Sequence, residues 1–290
     1  MKEIAIVTDS TADIPEELIK NYDIKIAPLY IHTQGKEYRD KINITNKEIY
    51  RLLENNIEVK TSAPSPKDFI ELYSEIIIKQ DAKTIYSIHI SSKLSNTVDS
   101  AKLARNNFPD TAIEIFDSRT VSLSLGLIVL ETVKAIRNQE SSGNINHESI
   151  KNLINFLIEK TLFLATVENF EYLLRGGRVS GLKKLLNYML KVKPVFVTDE
   201  GKVKVFKVCR TRSGSVGTII QEFKNRYSNK GKVRAGIFYG NDLDTALKVK
   251  QDLMQDKTID IEEILFSEIT PVIGTHSGPS IIGLSAVPVF

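Results

Sequence analysis

The chain is poor in the groups that usually announce a chemistry. Its 290 residues hold one cysteine, Cys209, which excludes an internal disulfide and any cysteine-based zinc cluster. Neither sign of charge dominates: 39 Lys and Arg against 36 Asp and Glu leave a net +3, too little to imply nucleic acid or a membrane surface as partner. No apolar run approaches the roughly 20 residues of a membrane span. The opening MKEIAIVTDS enters a strand without a signal-peptide core, so a cytoplasmic protein is expected. The phosphate-binding patterns G-x-x-x-x-G-K-[ST] and G-x-G-x-x-G do not occur. Low-complexity segments and obvious internal repeats are also missing.

What the sequence does have is a recurring unit, an apolar strand followed by a loop rich in Ser and Thr. It occurs as IAIVTDSTADIP (Ile4–Pro15), TIYSIHISSKLSNT (Thr84–Thr97), IEIFDSRTVSL (Ile113–Leu123) and PVIGTHSGPS (Pro271–Ser280). In open α/β sheets a ligand lies outside the carboxyl ends of the strands, so these loops are expected to line one site. The lining would be hydroxyls, backbone N–H groups and one imidazole, with little Lys or Arg. That suits a small polar head group of single or no charge. Asp9, Asp13 and Asp117 are too few carboxylates in the first and third loops for an octahedral metal site, and no metal or cofactor is expected.

Strands separated by helix-length segments predict an α/β protein: an N-terminal domain (1–145) with a mainly parallel sheet flanked by helices, and a C-terminal α+β domain (146–290), with the ligand between them. Strands are expected at Ile4–Val7, Ile24–Ile31, Thr84–Ile88 and Ala112–Phe116. Thr45 with Glu48, and Ser65 with Pro66 and Asp68, read as helix starts. Ser95 or Thr97 is expected to cap the helix carrying Ala101 and Ala104. Val121–Ile136 reads as an unusually apolar helix, and Gln139–Asn146 (QESSGNIN) as a surface linker. The second half reads as a helix (His147–Glu159), a strand (Leu162–Val167), a hairpin about Asp199-Glu200-Gly201, further helices near Ser213–Tyr227 and Asp242–Gln255, and late strands.

Ser91, Ser92, Ser95 and Thr97 precede a helix, where N–H donors attract anions, although the same residues would serve as simple caps. Thr61 and Ser62 lie in a turn with hydroxyls that point to the same crevice or merely cap. His276, among small turn-forming residues, is suited to a ligand rather than to core filling. His89, in an apolar run, reads as a core residue. Ser95 and His276 also admit a lipid hydrolase or acyltransferase with Asp9 or Asp117 orienting the imidazole, although no G-x-S-x-G elbow marks these loops. The Arg175–Arg178 cluster reads as a phosphate or acidic-partner site, or as a helix end with favourable cations. Between Leu173 and Arg212 a run of Lys and Arg is opposed only by Asp199 and Glu200.

In this order and spacing, TDSTADIP, TSAPSP, SSKLSNT, DSRTVSLSLG, LLRGGRVSG and PVIGTHSGP resemble the DegV family, from about Ile4 to the C-terminus. The resemblance implies a two-domain, non-catalytic, lipid-binding subunit. It implies a long-chain fatty acid as ligand and a separate ATP-using kinase subunit as partner, making acyl phosphate for phospholipid synthesis. A lipid carrier or sensor is the other non-catalytic possibility. By position, Thr61, Ser95 and His276 would hold the carboxylate, with Ser92 and Ser277 beside them. Arg210 would dock the kinase subunit, with Arg178 as a second docking cation. The family's usual Gly is Asn96 here, and its frequent Thr is Ser277. Helix Val121–Ile136 and the segment Leu153–Leu164 are expected to supply the apolar tunnel.

Overall fold

The computed structural model describes residues 4–189 and 191–289. The extreme ends of the two expected domains, residues 1–3 and 290, lie outside the described residues. The chain opens with β1 (Ile4–Asp9), a 3₁₀ turn at Ser10–Ala12, α1 (Glu16–Tyr22), β2 (Lys25–Ala27), β3 (Tyr30–Thr33), β4 (Lys36–Arg39) and α2 (Asn46–Glu54). It continues through β5 (Val59–Ser62), α3 (Pro66–Gln80), β6 (Thr84–His89), α4 (Thr97–Arg105), β7 (Ala112–Asp117) and α5 (Leu123–Ser142). The later half holds α6 (His147–Lys160), β8 (Leu162–Thr166), α7 (Glu171–Gly176), β9 (Val179–Ser180), a 3₁₀ segment Leu182–Tyr188, β10 (Lys193–Asp199), β11 (Lys202–Cys209) and α8 (Arg212–Tyr227). It closes with β12 (Lys232–Tyr239), α9 (Leu243–Gln255), β13 (Asp260–Glu268), α10 (Pro271–Ser277) and β14 (Ile282–Pro288).

Strands β2-β1-β6-β7 form a parallel sheet. β1 and β6 are buried at every residue, as central strands covered on both faces are, and most of their residues are apolar. The later strands form a mixed sheet in the order β13-β12-β14-β8-β10-β11-β9. The expected hairpin is there, with β10 antiparallel to β11. The helix starts also form as read. Thr45 with Glu48 and Ser65 with Asp68 make reciprocal capping boxes, and Pro66 opens α3.

Four details differ from the sequence expectations. The strand expected over Ile24–Ile31 is two strands in two sheets. Pro28 offers no N–H to continue the ladder, and Leu29 N instead donates to Ser10 Oγ at 3.1 Å. The chain then enters a small antiparallel sheet, β4-β3-β5. Neither Ser95 nor Thr97 caps α4; Asn96 is the N-cap and makes no side-chain cap bond. The stretch read as a linker is not loose. α5 runs on to Ser142, Gly143 closes it at φ 69°, and Asn146 caps α6 by accepting from Ser149 N at 2.9 Å. Finally, His276 lies on helix α10 rather than in a loop.

Helix α5 joins the two larger sheets. It packs on β1 and β6 on one side and on β12 and β14 on the other. An all-round apolar body is what a helix buried between two sheets needs. Ser124 Oγ meets Ser285 Oγ on β14 at 2.7 Å. Arg234 of β12, 4% exposed, pairs with Glu131 of α5 and with Glu262 and Glu263 of β13. Gly126 lets α5 touch the first hydroxyl loop, because a Cβ there would stand 2.4 Å from Ala12 O. Gly126→Ala should therefore cost about 1–3 kcal/mol as an overpacking change. Urea unfolding should show a lower midpoint at unchanged slope, and an unaltered midpoint would contradict this close approach.

Candidate functional site

A cavity of about 440 Å³ lies between the parallel and the mixed sheet. From the first half it takes Thr11 after β1, Ile90 and Ser92 to Asn96 after β6, and Val121 after β7, the places outside the carboxyl ends of the strands. β5 adds Thr61 and Ser62. The facing wall is apolar: Phe163 and Ala165 of β8, Phe196 of β10, Val203 of β11, and Val167 and Ile281. Phe196 and Ala165 are register partners, and Phe163 stacks on Phe238 with centroids 5.4 Å apart. The apolar lining thus comes mainly from strands. Of the expected sources, only Val121, just before α5, and Phe163 contribute. α5 and α6 instead fill the shared core, because both their partners are already in contact with them.

All five residues expected at the ligand line this cavity: Thr61, Ser92, Ser95, His276 and Ser277. Thr61 Oγ1 lies 2.7 Å from His276 Nε2. The imidazole Nδ1 is buried with no hydrogen-bond partner among the described residues, and Gly176 backs onto it so closely that a Cβ would stand 2.5 Å away. Burial, with Arg178 nearby, pushes the His276 pKa down to about 4, so the ring is neutral at physiological pH. Ser95 Oγ pairs with Thr97 Oγ1 at 2.8 Å. Ser92 Oγ donates to Asp117 Oδ2 at 2.6 Å, and Ser277 Oγ donates to Ile273 O at 3.0 Å. The last two protons are committed inside the protein, leaving Thr61 and Ser95 as the hydroxyls able to turn toward an anion. Asn96 sits at φ −80°, ψ 11°, open to any residue, so Asn in place of Gly imposes no strain there.

The start of α10 is held by the first half of the chain. Asp13 Oδ1 accepts from Thr270 N at 2.8 Å and its Oδ2 from Ser122 Oγ. Asp40 Oδ1 accepts from Val272 N at 3.0 Å. Burial pushes the Asp13 carboxyl up to about 7 and that of Asp40 up to about 6. Neither acid was singled out for this role in the sequence. Asp13 looked like one more polar residue of a hydroxyl loop, and Asp40 follows a basic, exposed strand.

The two cations expected at a partner surface separate. Arg178 lines the cavity, with Nη1 donating to Gly176 O at 2.7 Å. With Lys93 it gives the lining more cationic character than the loops alone suggested. Arg210 is exposed at the end of β11, away from the lining. In the surrounding basic run Arg175 meets Glu171, Lys204 meets Asp199 and Arg212 meets Asp242. Lys183, Lys184, Lys191, Lys202, Lys207 and Arg210 are exposed and form no ion pair among the described residues.

No Ser–His–Asp arrangement is assembled around His276. Its Nε2 partner is Thr61, not Ser95. Asp9 is committed to His89, Thr11 and Ile90, and Asp117 to Ser92 and Arg119. A catalytic imidazole needs a group to orient it, and the unpartnered Nδ1 has none. His89 is the core residue it was read as, fully buried between Asp9 Oδ2 at 3.1 Å and Ser87 Oγ at 2.7 Å. Among the described residues, no group of three His, Cys, Asp or Glu is placed to hold a metal ion, and no helix is long and apolar enough to cross a membrane.

Comparison with known proteins covers the whole chain. The family described as "Uncharacterised protein, DegV family" matches residues 3–289. A DegV domain-containing protein of Clostridium acetobutylicum is 33% identical over 288 residues, covering 98% of each chain. One of Caldanaerobacter subterraneus is 31% identical over 284 residues, again 98% of each. Among solved structures, a DegV family protein of Thermus thermophilus, described as fatty acid binding, superposes with TM-score 0.91 at 31% identity over 99% of this chain and 100% of that one. DegV of Bacillus subtilis, described as a fatty acid binding protein, gives 0.84 at 28% identity over the full length of both.

Thr61→Val tests the cross-sheet contact. The shape is kept, but the imidazole Nε2 loses its hydroxyl partner. The cost should be about 0.5–1.5 kcal/mol in urea unfolding, the net worth of one hydrogen bond. An unchanged stability would mean that the 2.7 Å contact does not hold the ring.

Proposed function

The chain belongs to the DegV family, and on that premise we propose that it binds one long-chain fatty acid in the cavity and presents the carboxylate to a separate ATP-dependent kinase subunit. The carrying observation is the cavity itself, which sets an apolar wall of Phe163, Phe196 and Val203 opposite Thr61, Ser95 and His276. In this reading residues 1–145 and 146–290 act as two domains with the ligand between them, and the protein works in the cytoplasm. It supplies no catalytic group of its own.

The energetics favour a division of labour. Burying a tail of roughly 16 carbons yields about 0.8 kcal/mol per methylene, more than ~10 kcal/mol before costs. Lost freedom on binding takes back about 4–15 kcal/mol. Each hydroxyl bond to a carboxylate adds at best about 1.5–3 kcal/mol. The tail therefore supplies most of the affinity, and Thr61, Ser95 and His276 fix where the acid group points. Ser92 and Ser277 shape the lining from behind. With His276 neutral, the acid is held without a buried ion pair that a partner would have to break. Arg178 and Lys93 attract it to the mouth.

In the kinase step a carboxylate oxygen attacks the γ-phosphorus of ATP, the bond to ADP breaks, and acyl phosphate leaves for phospholipid synthesis. All of that chemistry belongs to the partner. The exposed cations around Arg210 give this protein a surface that steers an acidic partner.

Native mass spectrometry of freshly purified protein should show an adduct of one fatty acid. Protein that is always empty and takes up neither labelled palmitate nor oleate contradicts the proposal. With the kinase subunit and ATP present, Ser95→Ala combined with His276→Ala should impair acyl-phosphate formation more than tail uptake. Equal loss of both would refute the division of labour. Bound lipid without any support of kinase activity would point to a carrier or sensor.

A further inference from the structure

Asp13 and Asp40 are each 1% exposed and neither lines the cavity, yet both meet the segment that carries its imidazole. They take the N–H groups of Thr270 and Val272, at 2.8 and 3.0 Å. Pro271 between them has no N–H to satisfy. Thr270 provides no side-chain cap of its own. The first half also supplies Asn46, which donates to Ile269 O at 2.6 Å. It further supplies Tyr50, whose ring would lie 3.0 Å from a Cβ at Gly274. By sequence α10 belongs to the second half, but the first half fastens its start. Six residues beyond the first of these N–H groups and four beyond the second, the chain delivers His276 to Thr61.

We infer that Asp13 and Asp40 are positioning residues for the head-group end of the cavity: when charged they fix the start of α10 and so the His276 imidazole against Thr61, and loss of their charge loosens that ring and weakens ligand binding. This rests on the reading that the cavity takes a fatty acid.

The charged and titratable surroundings set the pH window. Lys41 favours the ionised form of both acids, and Asp40 disfavours that of Asp13. Ser122 donates to Asp13. From α2 and the end of β13, Tyr50 and the Asn46–Glu268 pair complete the surroundings. Burial outweighs the favourable groups, so the charges are present above about 7 and are lost as pH falls through 7 and then 6. His276, held down at about 4, stays neutral throughout. Bonds to a charged acceptor are roughly twice as strong as neutral ones, so lower pH weakens the fastening. Folding stability runs the other way. Both acids bind a proton more tightly folded than unfolded. Their contribution to stability is therefore greatest at low pH and declines as pH rises from the ordinary carboxyl range of about 4 toward 7. Weaker binding without weaker folding separates positioning from a merely structural role.

The test is the pair Asp13→Asn and Asp40→Asn, alone and combined, since Asn keeps the accepting oxygen and the shape. Affinity for a fluorescent fatty acid is measured from pH 8 to pH 6, alongside thermal unfolding and the ¹⁵N imidazole signal of His276 in ligand-free protein. Wild-type affinity should fall about threefold to tenfold over that range, the loss of one buried charged bond. The double variant should bind at pH 8 as weakly as wild type at pH 6, show a flat profile, and melt no lower than wild type at pH 8. The imidazole signal should move between pH 8 and 6 in wild type and stay fixed in the double variant. Equal affinities at pH 8, or an imidazole signal indifferent to both pH and substitution, overturns the inference. The signal is read without ligand, so it decides the positioning role even where the fatty acid reading fails.

Discussion

The contact between Thr61 and His276 spans 215 residues of sequence and joins the small antiparallel sheet to helix α10. The rest of the site depends on it. Thr61 is placed by β5, the edge of a small sheet that exists because Pro28 ends β2 and sends the chain elsewhere. His276 is placed by α10, whose first N–H groups are taken by Asp13 and Asp40. Gly176 closes the third side of the ring, where any larger residue would displace it. An imidazole so enclosed is neutral, and a neutral ring beside a hydroxyl is a suitable support for a carboxylate.

Charge and apolar surface are divided in the same way over the whole molecule. The greasy walls of the cavity come from β8, β10 and β11, which pair with one another in the mixed sheet. Hydroxyls come from loops at the carboxyl ends of the parallel strands, from β5 of the small antiparallel sheet and from α10. Arg178 and Lys93 stand where the lining meets the surface, and a larger set of unpaired cations lies further along β11 and the segment before β10. Helix α5 holds the two sheets together, clamped by Ser124 against Ser285 and by Glu131 against Arg234. It therefore serves the cavity by fixing the spacing of its walls more than by lining them.

Much of this was legible in the sequence because local chemistry and tertiary demand agree there. The Ile4–Val7 run is apolar at every position and Thr84–Ile88 is buried throughout with only Thr84 and Ser87 polar, as suits strands covered on both faces. Thr45 with Glu48 and Ser65 with Asp68 start helices wherever they occur. The Ser- and Thr-rich loops were gathered into one lining by the rule that ligands sit beyond the carboxyl ends of parallel strands. Other features were set by long-range partners and left no local trace. The α10 helix is short, opens with Pro and is flanked by Gly278, and reads as a loop until Asp13 and Asp40 cap it from more than 200 residues away. The apolar helix Val121–Ile136 was recognised, but its periodicity does not tell a tunnel wall from a core. Arg178 sits next to two glycines, and only the end of α7 turning under α10 brings it to the cavity.

The central claim is that an apolar slot between two sheets ends in a cradle of Thr61, Ser95 and His276 for a single acid group. The most direct measurement is a crystal structure of the protein with palmitate bound. The account requires the carboxylate within hydrogen-bond distance of Thr61 or Ser95 and beside His276, with the tail running along Phe163 and Phe196. A fatty acid bound elsewhere, or seated in the slot with its acid group against Phe163 and its methyl end at His276, would contradict it.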